Sequence, residues 1–205
     1  MGFLFLDIES FVAPHNERSG LNPHHDESKV IVIAYNYYDL RKAPCAGEIK
    51  APTFLYDWVE GSEKELLDKF WGILKEIHES DDFLKIVGFN QLAYDLPYLF
   101  SRMDYHAIAH KQELFDILFS FPRHVDLAQL GMAISEDTKR DEDFRCISQK
   151  KINGYFDIPI KVDNGKDLSI YYAKEQYNLI EKYVKEEFTF ELLYQSVLDY
   201  FLYVK

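Results

Sequence analysis

The order of apolar stretches restricts the fold of this chain more than any single residue does. Phe3 to Leu6 is a short apolar run, Lys29 to Asp39 is a longer one dense in β-branched and aromatic residues, and Thr53 to Trp58 is a third. These read as three strands of an antiparallel meander. Ser62-Glu-Lys-Glu65 resembles a capping box and opens a helix with Leu66, Leu67, Phe70, Trp71, Leu74 and Ile77 on one apolar face. A buried strand, Leu84 to Phe89, comes next, and strand–helix–strand order implies a parallel crossover. The rest reads as a helix from about Leu92 to Met103, an apolar helical stretch or connector from Phe115 to Phe121 and a fifth strand, Arg123 to Asp126. A further helix starts at Leu127, and from Ser169 the pattern is helical to the end. In that last pattern Ile180, Val184, Phe188 and Leu192 form an apolar stripe, prolonged by Phe201, Leu202, Tyr203 and Val204. These final residues either pack on the domain or form a patch for a partner. The order of elements predicts an α/β fold in one domain over residues 1–205.

The first strand ends in Asp7-Ile-Glu9-Ser10, with its two carboxylates at i and i+2. In an extended strand that spacing puts both on one face. Two unpaired negative charges at the end of a buried strand repel each other and resist ionisation, which a divalent metal would relieve. The same residues also fit a strand that simply runs into solvent. Two more stretches favour the first reading. Gly88-Phe-Asn90-Gln-Leu-Ala-Tyr94-Asp95 follows the fourth strand, with Asn90 suited to a turn or helix cap and Asp95 on an early helical turn. Tyr183-Val-Lys-Glu-Glu187 lies in the C-terminal helical pattern, where Tyr183 and Glu187 share a face at i, i+4. Glu186 lies about 100° around that helix and faces elsewhere.

Together, Asp7-x-Glu9, Asn90-x-x-x-Tyr94-Asp95 and Tyr183-x-x-x-Glu187 resemble the three motifs of the DEDD superfamily of 3′–5′ exonucleases. The likeness is to the tyrosine subclass, as in the proofreading domain of family B DNA polymerases. His124-Val-Asp126-Leu127 and Gly154-x-x-x-Ile158-Pro-x-Lys161-x-Asp163 resemble segments before the third motif. The resemblance implies a ribonuclease H-like fold, a five-stranded mixed β-sheet flanked by helices on both faces. It implies metal-dependent hydrolysis from the 3′ end of single-stranded nucleic acid, DNA favoured over RNA, with two Mg²⁺ or Mn²⁺ ions. Asp7 would bridge the ions, Glu9 and Glu187 would hold the water-activating one, Asp95 would support the second, and Tyr183 would orient the attacking water. Ser10, Asn90 and Tyr94 are substrate-binding candidates. The expected partners are single-stranded or frayed 3′ ends.

The net charge of −12 argues against a long basic nucleic-acid footprint and for a short contact with a few terminal nucleotides, or recruitment by a protein partner. The run from Ser135 to Lys151 carries Lys139, Arg140, Arg145, Lys150 and Lys151 against equal acidic charge and reads mostly as solvated surface. Lys150 and Lys151 are the phosphate-binding candidates there. His24-His25, in a polar loop from Phe11 to Lys29 that also holds His15, reads as solvated loop rather than a metal site. Asp126 reads as a helix cap before it reads as a ligand, and Tyr98 as core. Cys45 and Cys146 supply no disulfide or zinc framework. With no signal peptide and no long apolar run, the expectation is a soluble, cytoplasmic protein without membrane contact.

One departure from the resemblance stands out. The third motif of the family ends in aspartate, and here it ends in Glu187. The extra methylene moves the carboxylate by on the order of 1.5 Å, whereas Mg²⁺–oxygen distances stay near ~2.0–2.1 Å. If the longer side chain merely overshoots, Glu187→Asp will keep or raise Mg²⁺-dependent hydrolysis of a labelled strand. Complete loss would mean that the local geometry is built around glutamate.

Overall fold

The computed structural model describes residues 2–12, 22–39, 50–134, 147–159 and 167–203. His15, Cys45, the charged residues Lys139, Arg140 and Arg145, Cys146, Lys161, Asp163 and Val204 lie outside the described residues. Strands β1 (Gly2–Phe11), β2 (Lys29–Asp39), β3 (Thr53–Tyr56), β4 (Lys85–Gly88) and β5 (Arg123–Asp126) form a five-stranded sheet in the order β3-β2-β1-β4-β5. The β3-β2-β1 half is antiparallel, and β1, β4 and β5 run parallel, so the sheet is mixed as the element order predicts. Helix α1 (Asp57–Glu60) is a single turn, and α2 (Glu63–Ser80) makes the crossover from β3 to β4. The Glu65 amide donates to the Ser62 hydroxyl (3.3 Å), which caps α2 as its sequence suggests.

Alternation along β1 divides the core in two. Leu4, Leu6 and Ile8 point to one face and pack with Leu66, Phe70 and Leu74 of α2 and Leu96, Leu99 and Met103 of α3 (Asp95–Tyr105). Phe3 and Phe5 point to the other, against α5 (Leu127–Ile134), α6 (Gln149–Tyr155) and α9 (Phe190–Tyr203) through Leu127, Ile152, Phe190 and Leu193. Ile31 and Val32 of β2 pack on that second face with Leu168 of α7 (Leu168–Ala173) and with Ile180, Tyr183 and Val184 of α8 (Tyr177–Glu187). Between α3 and β5, the expected helical stretch is α4 (Lys111–Phe115) continued by a π-helical turn, Asp116–Ser120.

Three expectations need correction. Helix α3 starts at Asp95, not near Leu92, because Asn90 takes a left-handed conformation (φ 57°) and residues 91–94 make a turn first. Strand β3 stops at Tyr56: the buried Asp57 carboxylate lies 3.2 Å from Lys29 Nζ and accepts the Tyr172 hydroxyl (2.5 Å), which turns the chain into α1. The C-terminal pattern is three helices. It breaks around Glu175, which is left-handed (φ 55°), and again at Phe188–Thr189. Ile180 and Val184 stay buried, but past the second break the buried face passes to Phe190, Leu193 and Val197, while Leu192 is 40% exposed. Phe201 and Leu202 are exposed. Among the described residues no helix is long and apolar enough to cross a membrane.

At Gly88, at the end of β4, neighbouring backbone approaches closely. A Cβ there would lie 2.9 Å from the Leu6 carbonyl oxygen and 3.0 Å from Gln91 Oε1. Gly88→Ala is expected to lower stability by about 1–3 kcal/mol in urea unfolding. An unchanged midpoint would show that β4 can shift away from β1 at no cost.

Candidate metal centre

Only Phe3, Leu4 and Phe5 of β1 pair with β4, so Asp7 and Glu9 lie beyond the end of β4. Both follow the Phe3–Phe5 face, toward α8, as the two-residue period requires. Helix α8 ends at Glu187, with Tyr183 one turn earlier on the same face. Strand end and helix end therefore meet. One carboxylate oxygen from each of Asp7, Glu9 and Glu187 lies within 4.8 Å of the others, and all three residues are half-buried. At roughly 4 Å and an effective dielectric of about 20, each such pair repels by about 4 kcal/mol. Burial, then the charges of Glu9, Glu187 and Asp7 and a hydrogen bond to Glu187, push the Tyr183 hydroxyl well above the ordinary phenol range. A field that keeps a phenol protonated is one that attracts cations. Three hard oxygen donors in this arrangement fit a divalent ion of the Mg²⁺ or Mn²⁺ kind.

The backbone around the trio is held by polar contacts. The Ile8 amide, between Asp7 and Glu9, donates to Asp95 Oδ1 (3.1 Å). Asp95 is 4% exposed and is not one of the three clustered carboxylates. Burial pushes its carboxyl up to about 7, against the pull of the Ile8 hydrogen bond, with the charges of Asp126 and Glu187 adding to the rise. At the other end of the site, the Glu187 carbonyl accepts from the Thr189 amide (2.7 Å) and from Gln149 Nε2 of α6 (3.1 Å).

The remaining candidates sit around this centre. Ser10 Oγ and the Tyr94 hydroxyl are 2.6 Å apart. Asn90 accepts from the Ala93 and Tyr94 amides through its carbonyl (3.1 Å each) and donates its own amide to Asp126 Oδ1 (2.8 Å). Asp126 also accepts from the Ala128 amide (3.0 Å) and the Leu92 amide (3.3 Å). It caps α5 and clamps the Asn90 loop at once. Lys150 and Lys151 are exposed on α6, beside the Gln149 that touches the end of α8, and are not drawn into the cluster. His24 and His25 lie in a turn, with His25 Nδ1 accepting from the Glu27 amide (3.2 Å), and join no metal-binding group among the described residues.

Sequence reading missed Gln91, whose Nε2 donates to the carbonyls of Ile86 and Val125 (3.0 Å each) and so ties β4 to β5. It also missed Gln149 and the buried pair Glu63–Arg102 (2.6 Å). The one signal available for the pair is the repeat Tyr94, Tyr98, Arg102, His106, a polar stripe at i+4 spacing along α3 and its two flanking residues.

A mixed sheet in this order, covered on both faces and carrying its acidic cluster at a strand end, defines an α/β protein of ribonuclease H-like fold. The family B DNA polymerase of the hyperthermophilic archaeon Pyrobaculum calidifontis is similar at a TM-score of 0.62 and 18% identity, over 98% of this chain and 25% of that one. Exonuclease I of Methylocaldum szegediense is similar at a TM-score of 0.47 and 12% identity, over 79% of this chain and 37% of that one. For E. coli Exonuclease I in complex with a dT13 oligonucleotide the TM-score is 0.40 and the identity 16%, over 64% and 29%. The chain thus spans a quarter of the polymerase's length and about a third of the exonucleases'. No protein-family model and no curated protein sequence matches it.

The raised Asp95 pKa has a consequence for stability. Below 3.8 this carboxyl is protonated in both the folded and the unfolded chain; between 3.8 and about 7 only the folded state holds the proton. Its contribution is therefore fully present at low pH and lost as pH rises through that window. In EDTA, urea unfolding of the metal-free protein should show this fall, and Asp95→Asn should flatten it. An equal slope in the variant would assign the pH dependence to other groups.

Proposed function

We propose that this protein is a metal-dependent 3′–5′ exonuclease that hydrolyses phosphodiester bonds at the 3′ end of single-stranded DNA. The observation that carries this reading is the meeting of Asp7, Glu9 and Glu187 at one strand end. Mg²⁺ or Mn²⁺ would be held by these three, with Asp95 assigned to a second ion, and would supply acidification of the attacking water and stabilisation of the departing 3′ oxygen. The protein's own contribution is position. Asp95, by taking the Ile8 amide, holds the strand segment that presents Asp7 and Glu9. Tyr183, whose one proton is engaged by Glu187, presents a fixed hydroxyl oxygen that would orient the attacking water by accepting from it. Ser10, Tyr94 and Asn90 belong to the rim that would meet the terminal nucleotide. Lys150 and Lys151, exposed on α6, are assigned to phosphates further along the strand. With a net charge of −12, affinity should come from a short contact or from a recruiting protein rather than from a long basic track.

The competing reading is an end-binding or scaffold module whose catalysis has lapsed. Glu187 in place of aspartate favours it, as does the absence of Asp95 from the clustered trio.

One assay separates them. A 5′-labelled single strand incubated with Mn²⁺ or Mg²⁺ should shorten from its 3′ end with release of mononucleotides, and Asp7→Ala should slow this by at least roughly 100-fold. Binding without hydrolysis by either ion would leave the module reading standing. A folded Asp7→Ala protein that digests at the wild-type rate would end the assignment of the reaction to this carboxylate centre. Parallel digestion of a matching RNA strand decides the substrate, since discrimination requires contact with a 2′-hydroxyl.

A further inference from the structure

Glu63 opens α2 and is buried, as is its partner Arg102. Its Oε1 accepts from the Val30 amide (2.8 Å) and from Arg102 Nε (2.8 Å). Its Oε2 accepts from Arg102 Nη2 and lies at hydrogen-bond distance from His106 Nε2 (2.6 Å each). Arg102 Nη1 donates in turn to the Pro23 carbonyl (3.0 Å). One carboxylate thus joins α2, β2 and α3, and through Arg102 the turn that leads into β2.

A buried ion pair is weak evidence of stabilisation, because desolvation offsets much of its attraction. The informative contact is the Val30 amide. The pairing of β1 with β2 slips between Glu9, opposite Val32, and Ser10, opposite Val30, leaving Ile31 as an extra residue. Ile31 and Val32 consequently both face α8, while Val30 faces the α2–α3 side. The Val30 amide turns away from β1, toward the edge of β2 that β3 covers only from Val32 onward, so this buried amide beside the slip needs another acceptor. Glu63 is that acceptor. The slip falls directly after Glu9 and directly before Ser10, whose hydroxyl meets Tyr94.

We propose that Glu63, set by Arg102, is a positioning residue for the metal centre: by holding the Val30 amide it fixes the register slip that aims Glu9 and Ser10. This rests on the reading of Asp7, Glu9 and Glu187 as the metal site.

Two double variants isolate the contact. Both remove the ion pair without leaving a buried charge, but Glu63→Leu/Arg102→Met has no acceptor for Val30, whereas Glu63→Gln/Arg102→Met keeps one. The expected result by calorimetric titration is a Mn²⁺ Kd weaker by roughly 10–100-fold in the first, and close to wild type in the second. Hydrolysis by the first should recover at saturating Mn²⁺. Ile77→Ala, a core change in α2, should lower Tm without moving the Kd, which separates positioning from general loosening. Equal Mn²⁺ affinity in wild type and both double variants overturns the proposal. Should the leucine variant not fold, the glutamine variant decides: near-wild-type affinity supports the proposal and a large loss overturns it. A wild-type protein that binds no Mn²⁺ overturns the metal reading instead, and this inference falls with it.

Discussion

Three carboxylates within 4.8 Å of one another push apart, and the fold has to supply what keeps them together. Among the described residues, backbone contacts contribute to this. Asp7 and Glu9 ride on the central strand β1, whose Ile8 amide is tied to Asp95 at the start of α3. Glu187 is the last residue of α8, and its carbonyl is engaged by Thr189 and by Gln149 of α6. The strand, the two helix ends and the α6 prop form a frame in which each carboxylate is held by its main chain. Side-chain rotation can ease the repulsion, but the backbone positions that bring the carboxylates together cannot separate without breaking one of these bonds. That stored repulsion is also the source of affinity for a cation, since a divalent ion relieves every pair at once.

The elements that follow from local periodicity were legible in the sequence. β2 and β5 occupy the expected residues, α2 buries the expected face, and the mixed sheet follows from the order of elements. The shared face of Asp7 and Glu9 and that of Tyr183 and Glu187 are also local facts, set by periods of two and about 3.6. What was not legible depends on partners far along the chain or on single backbone conformations. Glu63 finds Arg102 across 39 residues, and Gln149 finds Glu187 across 38. The late start of α3 and the break between α7 and α8 turn on left-handed Asn90 and Glu175. Asp126 shows both sides of the division: its capping of α5 is local and was anticipated, whereas its clamp on the Asn90 loop is a contact between two strand ends and was not.

Charge works in two directions at this site. The negative field that adds to burial in raising the Tyr183 pKa, and that draws in cations, also repels a phosphate backbone. Approach of a nucleic-acid end would therefore depend on prior neutralisation by bound ions, and the exposed lysines of α6 stand next to the frame rather than in it. Under the proposed function, this charge pattern would suit a brief encounter with a nucleic-acid end, with ionic strength acting on both cation and substrate.

The trio is drawn from elements far apart in sequence, with Asp7 and Glu9 on β1 and Glu187 at the end of α8. During synthesis the N-terminal carboxylates emerge from the ribosome long before their helical counterpart. A nascent chain, or one cut by a protease between β5 and α8, holds two acidic groups on an uncovered sheet and no third. The cage is therefore complete only once α8 has joined β1.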